Sequence, residues 1–103
     1  MTRPYDLSQE AVNDLREVAR YTLKTWGKDA LDRYRGGLNG VFLSIGGNKT
    51  IGTLFSKNFP DLHVTKYKYH YIFYTSHPSK KPVIIGVIHE RRDIVNRLTG
   101  RLS

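Results

Sequence analysis

The stretch Tyr67–Asp93, YKYHYIFYTSHPSKKPVIIGVIHERRD, constrains the fold more than any other part of the chain. Tyr69–Ser76 is dense in aromatic and β-branched residues, Pro82–His89 is the most apolar run in the sequence, and both predict strands. Between them His77–Lys81 is a polar loop of hairpin length, so the two strands pair antiparallel. From Val83 to Ile88 apolar residues occupy both parities, interrupted only by Gly86, which requires cover on both faces and predicts a central strand. Where it ends the chemistry changes to His89-Glu90-Arg91-Arg92-Asp93, so the rigid middle of the sheet delivers a charged cluster to the surface.

Two helices precede this hairpin. Arg3–Leu7 is short and contains Pro4, which removes a ladder donor and predicts an edge strand. Ser8 stands where an N-cap belongs, Glu10 follows in the first turn, and Ala11, Leu15, Val18, Ala19, Thr22 and Trp26 recur at helical spacing, giving a helix from Gln9 to Trp26. Gly27 stops it. Ala30, Leu31, Tyr34, Leu38, Val41, Phe42 and Ile45 form a second helical pattern so soon afterwards that the helices must fold back as an antiparallel hairpin, with Trp26 as its plug. Gly36, Gly37 and Gly40 inside the second helix each cost roughly 1 kcal/mol relative to alanine, which close packing against the first helix would offset. Gly46-Gly47-Asn48 ends it, Ile51–Asp61 reads as loop, and His63–Lys66 as a further strand. After the hairpin, Ile94, Val95 and Leu98 give a short amphipathic helix. The expected fold is α+β: an N-terminal edge strand, an antiparallel helix hairpin packed on a small antiparallel sheet, and a short C-terminal helix, in one domain spanning 1–103.

Composition narrows the partners. No apolar run approaches the roughly 20 residues that cross a bilayer, and the beginning of the chain lacks the apolar core of a signal peptide, so a soluble cytoplasmic protein without a membrane partner is expected. There is no cysteine, hence no disulfide and no thiolate metal site. The net charge of +8 is uneven: residues 1–50 carry eight basic against six acidic side chains, and residues 51–103 nine against three. The sheet half is therefore the basic half, and its field attracts nucleic acid or an acidic protein surface.

Metal-free RNA cleavage needs a base for the 2′-hydroxyl, an acid for the leaving oxygen and cations around the phosphorane. His89, Glu90, Arg91, Arg92, Lys66 and Lys68 are the residue types for that task, with His89 as the base. Nothing after Arg92 does proton chemistry near neutral pH. Each residue also has a structural reading. His89 shares parity with Val83, Ile85 and Val87 as a core-edge histidine, Glu90 and Asp93 pair with nearby arginines, and Tyr67, Tyr69, Tyr71 and Phe73 alternate as sheet-face packing. His63, His70 and His77 lack ligand spacing with carboxylates, so neither metal nor cofactor is expected.

The succession Tyr5-Asp-Leu-Ser-Gln-Glu-Ala with Asp14-Leu15, the Tyr21…Trp26-Gly27 helix end, Ile51-Gly52, Tyr71-Ile-Phe-Tyr74 and His89-Glu-Arg-Arg-Asp93 together resemble the ParE toxins of the ParE/RelE superfamily, from Tyr5 to about Leu98. The resemblance implies a bacterial type II toxin, neutralised by a cognate ParD-like or other antitoxin, sometimes in larger toxin–antitoxin complexes, that traps DNA gyrase with its DNA cleaved. The superfamily's RelE-like branch cleaves messenger RNA on the ribosome and is the alternative, with His89, Glu90, Arg91, Lys66 and Lys68 as its catalytic candidates. RelE-like enzymes usually present a late tyrosine or histidine, whereas the His89–Asp93 run matches ParE. Under the ParE reading there is no catalytic residue, and Arg91, Arg92 and Arg97 are the target contacts: they extend from the best-anchored strand, and guanidinium forks suit phosphate or carboxylate. The sequence assigns no antitoxin-binding residue.

Overall fold

Ser8 starts the first helix as its type dictates: the hydroxyl accepts a hydrogen bond from the Ala11 N–H at 3.1 Å. The computed structural model describes residues 3–47 and 52–102. Its elements in chain order are β1 (Asp6–Leu7), α1 (Gln9–Trp26), α2 (Lys28–Gly46), β2 (Thr53–Ser56), β3 (Phe59–Tyr67), β4 (His70–His77), β5 (Lys80–His89) and α3 (Ile94–Leu98). Gly27 alone separates the long helices, at φ +92°, a conformation that disfavours side chains. Gly46 closes α2 with Gly47 as its cap; Asn48 and Ile51 lie outside the described residues.

The sheet order is β1-β5-β4-β3-β2. β2 to β5 form an antiparallel meander, and β1 adds to β5 in parallel through Asp6↔Val83 and Leu7↔Ile84. The helix hairpin covers one face, where Ala11, Leu38, Phe42 and Ile45 pack on Ile72, Ile84 and Val87. The opposite face buries Leu62, Phe73, Ile85 and Ile88 under Leu98 of α3. β5 is thus an interior strand covered on both sides, as its apolar run requires.

Several sequence expectations fail, each for a local reason. The segment expected as loop over 51–61 contains β2 and the start of β3; β2 is an edge strand with mostly exposed side chains, so no alternation announces it. Gly52 is needed at its approach because a Cβ there would stand 2.8 Å from the Val64 carbonyl oxygen. The β4–β5 loop is only Pro78-Ser79, since His77 and Lys80 still pair; at an exposed hairpin tip, strand residues are polar on both faces. Trp26 is no plug: it is 70% exposed at the last turn of α1. Gly37 does pack closely, but against Tyr67 of β3 and not against α1, while Gly36 and Gly40 face open space.

A β-bulge decides what β5 presents. Phe73 pairs with Gly86 but Tyr74 with Ile84, so Ile85 is an extra residue and the side-chain parity inverts there. Ile84 and Val87 consequently share the helix face, and Ile85 and Ile88 the other. His89 does not share a face with Val83 and Ile85 as simple alternation predicts: Val83 and Ile85 pack on the α3 side, while His89 lies against His70 under α1.

β1 is too short to complete the edge of β5 beyond Ile84, and side chains take over. The Val87 N–H donates to the Asp14 carboxylate of α1 at 3.0 Å, and the Ile85 carbonyl accepts from Arg101 Nη1 at 3.0 Å. Arg101 also grips Asp14 through both terminal nitrogens, at 2.7 and 3.2 Å. The arginine and aspartate side chains retain only 12% and 7% of their exposure, so this fork ties α1, β5 and the segment after α3 together inside the protein.

Candidate functional site

The end of β5 and the C-terminal half of α1 bound a groove of about 530 Å3. From α1 come Asp14, Glu17, Val18, Tyr21 and Trp26; from the β3–β4 turn comes Tyr69 and from the sheet His70, Val87, Ile88 and His89; the turn after β5 and α3 add Glu90, Arg91, Arg92 and Arg97. Helical spacing brings Glu17 and Tyr21 to one wall because residues four apart share a face.

The turn at the strand end is held by the Glu90 N–H donating to the Tyr69 carbonyl at 2.8 Å and the Arg92 N–H donating to the His89 carbonyl at 2.9 Å. Asp93 then caps α3, its carboxylate accepting from the Asn96 N–H. Arg91 and Arg92 are thereby fixed at the mouth as exposed side chains. The groove's carboxylates already have cations: Glu17 with Arg97 at 3.7 Å, Glu90 with Lys66 at 2.5 Å, and Asp14 with Arg101. Among the described residues no carboxylate lies within ion-pair distance of Arg91 or Arg92. They are the groove's uncompensated positive charge.

The floor is aromatic. The His89 ring meets His70 edge-on at 5.1 Å and lies nearly parallel to Tyr69, with centroids 6.5 Å apart. His70 Nδ1 shares a short hydrogen bond with the Tyr34 hydroxyl of α2. Burial, and secondarily the neighbouring His89, pull the His70 pKa down to about 4, so this ring is neutral at physiological pH. Burial, with Tyr67 beside it, holds the Tyr34 hydroxyl far above the ordinary tyrosine range.

Of the residues that RNA cleavage would require, His89, Glu90 and Lys66 are already engaged, and Lys66 and Lys68 are not brought together. His89 Nδ1 accepts a hydrogen bond from the Arg91 N–H at 3.1 Å, so in the neutral ring the lone pair is occupied and Nε2 carries the proton. Glu90 is tied to Lys66; their hydrogen bond lowers the carboxyl pKa and raises that of the amine, the wrong direction for a general acid and a general base. Lys66 lies over the Tyr71 ring, on the α3 side of the sheet, whereas Lys68 lies over Tyr67 towards the helices. The aromatic series Tyr67, Tyr69, Tyr71 and Phe73 is similarly divided: Tyr67 packs under the helices, Tyr71 and Phe73 under α3, and Tyr69 sits 62% exposed in the β3–β4 turn. Among the described residues no group of three or more His, Asp or Glu side chains is placed to hold a metal ion.

The groove gathers Arg91, Arg92, Arg97, His89 and Glu90, which the sequence singles out, with Trp26, Tyr21 and Tyr69, which it does not mark as one set of exposed rings. The available signal was that Trp26 is the last residue before a helix-stopping Gly, where a side chain easily overhangs the core.

The chain is a helix hairpin on a five-stranded sheet, with an arginine-rimmed aromatic groove between α1 and the end of β5. The sequence pattern described as ParE toxin of type II toxin–antitoxin system, parDE, matches residues 5–94. The chain is 31% identical over 99 residues to Toxin ParE of Escherichia coli, an alignment covering 96% of each protein. In fold it is similar to a chain from the chromosomal ParDE TA system of P. aeruginosa, with a TM-score of 0.68 and 11% identity over 82% of this chain and 92% of that one. The chain belongs to the ParE toxin family of type II toxin–antitoxin systems.

Proposed function

We propose that this protein is a bacterial cytoplasmic toxin that acts by binding and not by catalysis, arresting DNA gyrase on cleaved DNA, with Arg91, Arg92 and Arg97 as target contacts and a cognate antitoxin as its neutralising partner. The antitoxin is supported by the match to a type II toxin–antitoxin family, and gyrase by the resemblance of the sequence to ParE toxins. The observation that carries the non-catalytic reading is the state of His89: its acceptor nitrogen is spent on the Arg91 N–H, and the adjacent Glu90 is held ionised by Lys66. A base with no available lone pair and an acid with no proton do not divide the work of cleaving RNA. What remains presented to a partner is arginine and aromatic surface, the residue types that dominate binding energy at protein interfaces. In the described residues no helix is long and apolar enough to cross a membrane.

The test is supercoiling by purified gyrase with added toxin, run beside ribosome-dependent cleavage of messenger RNA. Loss of supercoiling with accumulation of cleaved DNA, and intact RNA, is the expected result. Position-specific RNA cleavage abolished by His89→Ala would replace this reading with the interferase one.

A further inference from the structure

We propose that the groove between α1 and the end of β5 binds single-stranded nucleic acid, taking an unpaired base against Trp26 and Tyr69 and its phosphates at Arg91 and Arg92. The inference rests on the reading of this groove as the toxin's contact surface and adds the chemistry of what enters it.

Three observations converge. First, rings stand on both walls: Trp26 and Tyr21 on α1 are 70% and 63% exposed, and Tyr69 opposite them is 62% exposed. Large aromatics this open cost hydration without contributing to the core, and a base stacked on them recovers that area. Tyr69 already lies nearly parallel to His89, with 21° between ring planes, so its ring stands in an orientation on which a base can stack.

Second, charge is sorted. Glu17, Glu90 and Asp14 would repel a polyanion, yet each is neutralised by Arg97, Lys66 or Arg101, which leaves Arg91 and Arg92 as the net field at the mouth. Two neighbouring cations on a turn pinned by two backbone hydrogen bonds suit successive phosphates of one strand.

Third, size discriminates among anions. About 530 Å3 falls within the range of small-ligand pockets, roughly 300–1,000 Å3, room for a nucleotide or two. Duplex DNA keeps its base faces stacked inside and offers only phosphate, so it would leave the rings unused. An acidic peptide would satisfy the arginines but has no flat ring at each repeat to engage both walls.

Trp26 is the chain's single tryptophan, which makes its fluorescence a direct report on the groove. The experiment titrates the full chain, with no gyrase present, with an oligothymidylate about ten residues long, a duplex of equal length and an oligoglutamate of equal charge. Quenching by the single strand at micromolar concentration is expected, with the duplex at least about tenfold weaker because stacking is lost. In anisotropy with a labelled strand, Trp26→Ala weakens binding about tenfold and Trp26→Phe largely restores it. Arg91→Ala with Arg92→Ala lowers the slope of log affinity against log salt by about 1.4. No binding at about 100 μM, or equal binding of duplex and single strand, overturns the proposal. So does preference for oligoglutamate, which would mark the groove as a protein-docking site. Because gyrase is absent, a negative result here leaves the supercoiling test untouched, and gyrase arrest without strand binding would retain the toxin reading while removing this one.

Discussion

Replacing Arg101 with alanine should destabilise the protein more than any surface substitution. The change strands the Asp14 carboxylate, whose side chain is 7% exposed, with the Val87 N–H as its remaining partner, and takes a donor from the Ile85 carbonyl. Breaking a buried ion pair by removing one partner costs roughly 3–5 kcal/mol. A domain of this length has a total stability of roughly 5–15 kcal/mol, so the variant should lie near the edge of folding. At about 4 °C per kcal/mol the melting temperature should fall by roughly 12–20 °C. Far-UV circular dichroism during urea and thermal unfolding is the assay, since exposed Trp26 reports little on the core. Asp14→Ala should cost a similar amount, because it leaves the guanidinium buried and the Val87 N–H without an acceptor. The double variant should be far from additive, with a coupling energy on the order of 2–3 kcal/mol. It should still fall short of the parent, because one backbone donor and one acceptor at the β5 edge stay without these partners, at roughly 1–3 kcal/mol each. Single variants costing under about 1 kcal/mol, or additive effects, would refute the argument that this pair completes the sheet edge.

Other consequences are open to measurement. Gly36→Ala and Gly40→Ala should each stabilise by about 0.5–1 kcal/mol, since a Cβ there meets open space, whereas Gly37→Ala should destabilise by roughly 1–3 kcal/mol because Tyr67 occupies the site; denaturant midpoints decide this. His70 is held neutral when folded, with a pKa of about 4 against an ordinary value of 6.5. The unfolded chain therefore binds its proton first, and stability should fall as pH drops from about 6.5 towards 4 and be flat above that window. His70→Asn should flatten this part of a stability–pH curve, and an unchanged curve would mean that other groups produce it. In cells, Arg91→Ala with Arg92→Ala should abolish growth inhibition at equal expression, while the paired lysine changes retain only part of it, because charge persists and the planar fork does not. Undiminished toxicity of the alanine pair would place the active surface elsewhere.

The helix hairpin was legible because Ser8, Gly27 and the apolar spacing are local signals, and both boundaries of α1 follow from them. The interior strand was equally plain, since only cover on both faces tolerates VIIGVI. What escaped depends on information outside any window. β2 has one neighbouring strand and mostly exposed side chains, so its pairing with β3, not its composition, makes it a strand. The parity of His89 turns on one inserted residue at Ile85, which hydrophobicity cannot mark because both faces are apolar. Of the site, the arginines were readable from their place after a strand, but Asp14 and Arg101 meet across 87 positions and have no shared pattern.

The parallel pairing of β1 with β5 also bears on synthesis. Asp6 and Leu7 emerge from the ribosome early, yet their ladder partners are Val83 and Ile84, and α1 rests on the same late strand. Translation proceeds at about 5–20 residues per second, so for several seconds the nascent chain holds two amphipathic helices with nowhere to bury their apolar faces. Long-range pairing of this kind also slows closure once the strand arrives. A toxin built this way passes through its own translation without a finished groove, and during that interval its exposed helices are accessible to chaperones or to any partner already waiting in the cell.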